Sequence, residues 1–420
     1  MTENTLLTRD YHHLRTALLN REELALVDVR EEAQFASGHP LFAINIALSK
    51  LDIEILNRIP RLNTPVTLYD NGEGLAQEAA ARLRELGYRD VALLAGGLAG
   101  WSEAGGELFT GVNSAVKAFA ELAGIDWKQG RPDLNIDGES KSARQVADRA
   151  GVLRTSLDEL SAWQQQDRRT IYLFDIRDAA AHAQGYLAGA RPVPASQLIQ
   201  EVDHYASVNG AWIVLADENE ARANITASWL AQLGWQVFVL DRLRRDDFSV
   251  SGGWSPRIPS LPAQQEVEPA ELAALLAAGD IQVLDFTTSA NYVNAHIPGA
   301  AWLQRSALTQ RGADVLPDAA RYVVTCGSSM LARYSVARLE QLTGKPVSVL
   351  KGGNAAWKAA GLPVENGETH LLLPRIDRYR QPNEAADDSA AAVQSHLRWR
   401  NGLIAQLERD GTHGFRPLKA

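Results

Sequence analysis

Three times along the chain, a short unbroken apolar run ends in an acidic residue and gives way to a polar, helix-forming stretch. The stretches are Leu24–Ala47 (LALVDVREEAQFASGHPLFAINIA), Thr170–Ala195 (TIYLFDIRDAAAHAQGYLAGARPVPA) and Ile281–Gln304 (IQVLDFTTSANYVNAHIPGAAWLQ). Each apolar run closes on an aspartate, Asp28, Asp175 or Asp285, and eleven residues later stand His39, Tyr186 and His296. A second apolar run follows: VTLYD ends at Asp70, IVLAD at Asp217 and VVTC at Cys326, at distances of 42, 42 and 41 residues from the first aspartate. Each second run leads into a helical period. In the first copy this is LAQEAAARLRELG, with Leu75, Ala79, Leu83 and Leu86 on one face; the others are ITASWLAQLG and YSVARLEQLTG. Gly87, Gly234 and Gly344 stand where a helix C-cap belongs. A further apolar run (VALLAGG, QVFVLD, VSVLKGG) completes each copy. Short strands alternating with helices predict βαβ units on parallel sheets, and self-similarity at this spacing predicts a repeat architecture.

Each copy spans roughly 100–110 residues, enough for its own core. The predicted division is 6–112, a linker over 113–139 holding a helix at Ser114–Leu122 and a polar stretch, then 140–258, 264–370 and a tail over 371–420. Within the tail, Tyr379–Ala392 is acidic and Ala-rich. Val393–Arg409 reads as an amphipathic strapping helix, with Leu397, Ile404 and Leu407 apolar. The fold class is α/β: three tandem domains, each a small parallel sheet flanked by helices.

Composition narrows the function. The chain has 420 residues, a net charge of −9 and 45% hydrophobic residues, which are ordinary globular values. The acidic balance supplies no basic field for nucleic acid. No apolar run is long enough to span a bilayer, and the N-terminus (MTENTLLTRDYHHL) shows no apolar leader core, so a cytoplasmic protein without membrane partners is expected. With one cysteine in the chain, neither a disulfide framework nor a cysteine-rich metal site is possible. No zinc spacing, Ser-His-Asp set or phosphate loop is present, and neither cofactor nor metal is expected.

The landmarks resemble those of the rhodanese family of sulfurtransferases. The matching pieces are Asp28-x-Arg30 with Gly38-His39, Asp175-x-Arg177 with Gly185, and Asp285 with His296-Ile297-Pro298-Gly299-Ala300. Gly96-Gly97-x-x-x-Trp101 and Gly352-Gly353-x-x-x-Trp357 match as well, while in the second copy the glycine pair, Gly252-Gly253, is displaced down the chain. The resemblance covers most of residues 6–370. It implies a catalytic cysteine at the end of the fourth strand, opening a loop into a helix, and Cys326 holds that place. Asp70 and Asp217 hold it in the first two copies. A carboxylate cannot carry a sulfane sulfur, so those domains are expected to be inactive and their aspartates to cap helices.

The expected function is therefore a sulfurtransferase. It would move sulfane sulfur from thiosulfate or 3-mercaptopyruvate to a thiophilic acceptor (cyanide, a thiol or a sulfur-accepting protein) through a Cys326 persulfide. The thiolate is the nucleophile, and unpaired N–H groups at a helix N-terminus are expected to lower the pKa of the cysteine. Substrate binding is assigned to Gly327, Ser328, Ser329, Met330, Leu331 and Arg333. Cys326-Gly327-Ser328 resembles the opening of a mercaptopyruvate sulfurtransferase loop, and no basic residue follows the cysteine directly. Arg333 is the nearest cation, with Lys351 and Arg305 as others. Phosphatases and arsenate reductases of this fold use Cys-x5-Arg, whereas Cys326 to Arg333 leaves one residue too many to close the guanidinium on an oxyanion. A sulfur-carrier or redox-sensing module without small-molecule turnover is the alternative. His39 and His296 are expected to be structural, and Thr287 stands without explanation where the other copies have arginine.

Overall fold

The computed structural model describes residues 6–128, 131–132, 140–279, 281–379 and 389–418. Three five-stranded parallel sheets are present, in addition to a two-stranded antiparallel pair at Trp127–Lys128 and Arg131–Pro132. The first sheet uses Leu7–Arg9, Ala25–Asp28, Ile44–Asn45, Val66–Tyr69 and Val91–Leu94. The second uses Leu153–Thr155, Ile171–Asp175, Arg191–Pro192, Trp212–Ala216 and Gln236–Leu240. The third uses Glu266–Val267, Ile281–Asp285, Ala301–Trp302, Arg321–Thr325 and Val347–Leu350. All three share one spatial order, first–fifth–fourth–second–third. The second and fourth strands are central, which is why they are continuously apolar rather than alternating. The first and third strands are two or three residues long and carry no periodicity that a sequence reading could use.

Register explains the constant spacing of the landmarks. Asp28 pairs with Tyr69, Asp175 with Ala216 and Asp285 with Thr325. The closing aspartate therefore stands beside the residue that precedes Asp70, Asp217 or Cys326, at the carboxyl edge where open α/β sheets bind ligands. His39, Tyr186 and His296 each form an antiparallel bridge to the returning chain, at Phe109, Val250 and Glu365. His39 is buried between the Pro40 carbonyl (2.8 Å) and the Gly111 carbonyl (3.1 Å), and burial pushes its pKa down to about 4. His296 Nδ1 meets the Tyr292 carbonyl at 2.7 Å and Nε2 meets Thr369 Oγ1 at 3.0 Å. Both histidines hold architecture.

Gly87, Gly234 and Gly344 all have positive φ just after their helices, as C-cap glycines do. Two local expectations need correction. In the third unit the chain after the cysteine loop makes a 3-10 turn, Ala332–Ser335, before the helix Val336–Thr343 begins. In the second unit, Arg242 (φ +61°), directly after the fifth strand's Leu240-Asp241, takes the left-handed turn position that Gly96 and Gly352 hold elsewhere, so Gly252-Gly253 is no displaced equivalent.

The first two units share one continuous apolar core. Tyr172 Oη donates to the Arg58 carbonyl at 2.6 Å, and Thr64 and Thr170 share a hydrogen bond at 3.0 Å. The tail helix, Ser389–Asp410, packs on Ser114–Leu122. It buries Leu403 and Leu407 but leaves Leu397 and Ile404 partly exposed, so its buried stripe is rotated from the expected one. Beyond it, Phe415 meets Phe42 of the first unit and Phe119 of the helix Ser114–Leu122, and the Arg416 amide reaches the Gln232 carbonyl of the second unit at 2.8 Å. Residues 380–388, within the acidic stretch, lie outside the described residues. The third unit has its own core clusters and docks on the first through polar contacts. Among the described residues, no helix is long and apolar enough to cross a membrane.

Asp70 accepts the Gly72 amide at 3.0 Å and the Ala76 amide, in the first turn of Leu75–Glu85, at 2.9 Å. Asp70→Ala should therefore lower stability by about 1 kcal/mol in a urea titration while leaving turnover within twofold. A hundredfold loss of turnover in a folded variant would place the first unit's edge in the chemistry.

Candidate active site

The closing aspartates are fully buried, and each needs partners. Asp28 accepts the Arg30 amide at 2.9 Å and the Nε and Nη2 groups of its guanidinium, and the same Nη2 reaches the Gly38 carbonyl at 2.9 Å. Asp175 is held in the same way by Arg177, which also reaches the Gly185 carbonyl. In the third unit Asp285 accepts the Thr287 amide at 2.9 Å and Asn354 Nδ2 at 2.8 Å. Asn354 in turn accepts Thr325 Oγ1 at 2.9 Å. The amide of Asn354, immediately after Gly352-Gly353, thus replaces the missing guanidinium. This accounts for Thr287. An amide brings no charge, and burial pushes the Asp285 pKa up to about 6.

The ends of the fourth strands diverge chemically. Asp217 accepts the Asn219 amide at 2.8 Å and pairs with the Arg222 guanidinium, so it is an ion-pair partner more than a cap. Cys326 is 6% exposed, and the backbone N–H groups of Ala332, Leu331 and Ser328 lie near enough to its sulfur to favour the thiolate. Burial nevertheless pushes the thiol above its ordinary value, and Asp285 adds to that rise. The expected lowering is therefore absent in the resting site. The reason is local: a 3-10 turn, not the start of a long helix, follows the loop, and its N–H groups do not outweigh desolvation.

The loop is held from below. Gly353 has φ +64°, and a Cβ there would lie 2.4 Å from the Cys326 carbonyl oxygen and 2.5 Å from the Ser329 nitrogen. That close approach lets the Asn354 amide reach the Cys326 carbonyl at 2.9 Å and the Ala355 amide reach the Gly327 carbonyl at 3.0 Å. Ser329 is itself left-handed (φ +64°) and buried, and its hydroxyl has no partner.

A cavity of about 180 Å³ opens in front of the sulfur. Its apolar walls are Ile53, Phe286, Trp302 and Leu331, and its polar groups include Lys50, Arg305 and Asp377. Of the residues assigned from sequence, Cys326, Gly327 and Leu331 line it, and Ser328 supplies an N–H group. Met330 is 39% exposed and Ser329 lies under the loop. Neither lines the cavity, and neither does Arg333, which pairs with Glu266 on the edge strand. Lys351 pairs with Glu268. Arg305 does line the cavity, but its guanidinium is taken up by Ser335 Oγ (2.9 Å), the Ser49 carbonyl (3.0 Å), Asp52 (3.1 Å) and the Tyr334 carbonyl (3.1 Å). Lys50 and Ile53 come from the first unit and Asp377 from the chain after the third. Sequence gave no signal for them, because only tertiary docking brings them to Cys326. Among the described residues, no group of three or more His, Cys, Asp and Glu side chains is placed to hold a metal ion.

The model of the Rhodanese-like domain matches three times, at residues 14–104, 156–242 and 268–360. The crystal structure of a thiosulfate sulfurtransferase from Pseudomonas aeruginosa superposes with a TM-score of 0.93 at 42% identity, over 99% of this chain and 100% of that one. Two curated relatives match single units: the uncharacterized protein YibN of Escherichia coli, 31% identical over 88 residues, and the HTH-type transcriptional regulator Rv0324 of Mycobacterium tuberculosis, 30% identical over 98 residues. These matches cover 21% and 23% of this chain, and 62% and 43% of the relatives' own lengths. The repeated strand order, the shared landmarks and three matches that together span more than half its length place this chain in the rhodanese family.

Proposed function

We propose that the protein is a sulfurtransferase with one active site, in the third unit, and that Cys326 carries the sulfur as a persulfide. The observation that supports this most is Cys326 itself: the chain's one cysteine, directly after a central strand, with the N–H groups of Ala332, Leu331 and Ser328 near its sulfur and a half-open cavity before it. The same three donors suit the charged sulfur of a thiolate or of a persulfide better than a neutral thiol. The solved relative's name, thiosulfate sulfurtransferase, agrees with this reading.

In the first half-reaction the Cys326 thiolate attacks the outer sulfur of the donor. The donor's S–S bond breaks to release sulfite, or its C–S bond breaks to release the enolate of pyruvate, which takes a proton from water. In the second, an acceptor nucleophile attacks the outer persulfide sulfur, and Cys326 leaves as the thiolate. This is ping-pong covalent catalysis. The walls of the cavity support one donor over the other. Lys50 is the cavity's uncommitted cation, since Arg305 is bonded to Asp52, and the remaining walls are largely apolar. One ammonium and a carbon-lined wall suit a mercapto monocarboxylate better than a compact dianion. The relative's name favours thiosulfate instead.

Three measurements test this. Cys326→Ser should abolish sulfur transfer while leaving the thermal midpoint nearly unchanged; residual turnover would remove Cys326 from the mechanism, and single loading without saturable turnover would favour the carrier reading. The ratio of kcat/KM for 3-mercaptopyruvate and thiosulfate, with one acceptor at one ionic strength, should favour the mercapto acid; a tenfold advantage for thiosulfate rejects the argument from the walls. Gly353→Ala should lower turnover about tenfold or more, equivalent to about 1.4 kcal/mol on the barrier, because the cysteine loop must move. Gly97→Ala, with φ +59° and a Cβ 2.7 Å from the Asp70 carbonyl oxygen, imposes matching strain in the first unit and should spare turnover. Equal activity losses in the two variants would mean that only general stability is being read.

A further inference from the structure

The cavity before Cys326 holds a charge that transfer from an anionic donor does not use. Asp377 lies on its wall and is 5% exposed. One of its carboxylate oxygens accepts the Ser289 amide at 2.7 Å; the other, Oδ1, is buried without a partner. Glu31 is also buried. Its Oε1 accepts Ser306 Oγ at 2.7 Å, and its Oε2 has no partner. Burial raises the Glu31 pKa; Lys50 opposes the rise and Asp377 adds to it, so the three groups sense one another. Of the two cations that line the cavity with Asp377, Arg305 is committed to Asp52, which leaves Lys50 as its counter-charge there. A buried acceptor left without a partner keeps its full desolvation cost, and such a group in a native fold calls for an explanation. Here the residue that carries the orphan oxygen lines a cavity that opens on Cys326. A ligand donor with a positive charge fits it best, since it supplies both the missing hydrogen bond and the missing charge.

We propose that Asp377 recognises the ammonium group of the sulfur acceptor, so that the second half-reaction hands sulfur to a small aminothiol. This rests on the sulfurtransferase reading above and names its acceptor class. The ammonium donates to Asp377 Oδ1, and a carboxylate on the same molecule, as in cysteine, meets Lys50. The acceptor thiol loses its proton to water, and its thiolate attacks the outer sulfur of the Cys326 persulfide. The S–S bond to Cys326 breaks, Cys326 leaves as thiolate, and the acceptor departs as its own persulfide. The sulfane sulfur moves without any external oxidant or reductant. A cavity of about 180 Å³ suits a molecule of the size of cysteamine or cysteine.

The test compares cysteamine with 2-mercaptoethanol, which replaces the ammonium by a hydroxyl, as acceptors from persulfide-loaded enzyme, with rates expressed per thiolate. The kcat/KM ratio should favour cysteamine at least tenfold in the native protein and fall close to one in Asp377→Asn, whose side-chain oxygen can still accept the Ser289 amide. A ratio near one in the native protein, or a preference that survives in Asp377→Asn, overturns the proposal. A second measurement is independent of turnover. Titration calorimetry of cysteamine into Cys326→Ser protein should show binding that weakens at least tenfold when Asp377→Asn is added, and no binding overturns the proposal. If no donor adds 32 Da to Cys326, the sulfurtransferase reading fails, and the calorimetry still decides whether an ammonium site exists.

Discussion

Each unit buries a carboxylate at the end of its second strand, and the carboxyl edge of each sheet is organised around giving that charge partners. Asp28, Asp175 and Asp285 are each fully removed from solvent. An ion in that position costs several kcal/mol unless it is paired and hydrogen-bonded. The first two units solve the problem with a guanidinium two residues away, which also ties down the glycine carbonyl that ends the next short helix. The third unit uses a neutral amide from the turn after its fifth strand. That choice has two consequences. It links the buried carboxylate, through Asn354 and Thr325, to the residue before Cys326, so the group that stabilises the sheet edge also fixes the base of the cysteine loop. It also puts Thr287 where a guanidinium would otherwise stand, and Thr287 lines the cavity.

The cavity is a product of docking between units. Arg305 reaches from the third unit into the first, joining Asp52 and the Ser49 carbonyl to Ser335 and Tyr334 beyond the cysteine loop. Asp52 is shared with Arg82 at 2.7 Å. Ser306 adds a bond to Glu31, and residues after the third unit return to the first through the Ala33 amide on the Ile376 carbonyl and the Tyr379 amide on Glu32. The chain entering the third unit is fixed on the first as well, by the paired hydrogen bonds of Asn57 with Arg257. These contacts are polar, whereas those between the first two units are largely apolar. A buried Arg–Asp contact tolerates loss of one partner poorly, so the orientation of the third unit, and with it the cavity wall, depends on a few directional bonds.

Much of this was legible in the sequence, for identifiable reasons. The central strands could be read because burial on both faces makes them continuously apolar, and the repeat could be read because register fixes the interval between Asp28, Asp175 or Asp285 and the end of the fourth strand. Cys326 stood out because its two counterparts are aspartates. What could not be read depends on tertiary placement. Arg333 was the nearest cation in sequence, but the 3-10 turn carries it to the edge strand and Glu266. Lys50, Ile53 and Asp377 reach the cysteine from hundreds or tens of residues away, in segments whose local pattern is that of ordinary helix and loop. The pKa of Cys326 was misjudged for a related reason: sequence shows the donors that follow a cysteine but not the desolvation that opposes them.

The persistence of two units without a cysteine follows from the same geometry. The first unit, with Asp70 where the third has Cys326, keeps its sheet edge satisfied by the Asp28–Arg30 pair and turns the segment Leu48–Arg58 toward the third. That segment supplies Lys50 and Ile53 to the cavity and Asp52 to Arg305. No residue of the second unit is among those that line the cavity. It buries apolar surface against the first unit, where Arg58, which follows that segment's apolar face, bonds Ser207 at 3.0 Å, and the tail closes the arrangement by joining both units through Phe415 and Arg416. The second unit thus packs against the first, and the first forms one wall of the cavity. Ordered in this way, the first unit's part in the cavity rests on its docking face and not on the residue at the end of its fourth strand, and losing that face would open the cavity to water and raise the polarity around Cys326.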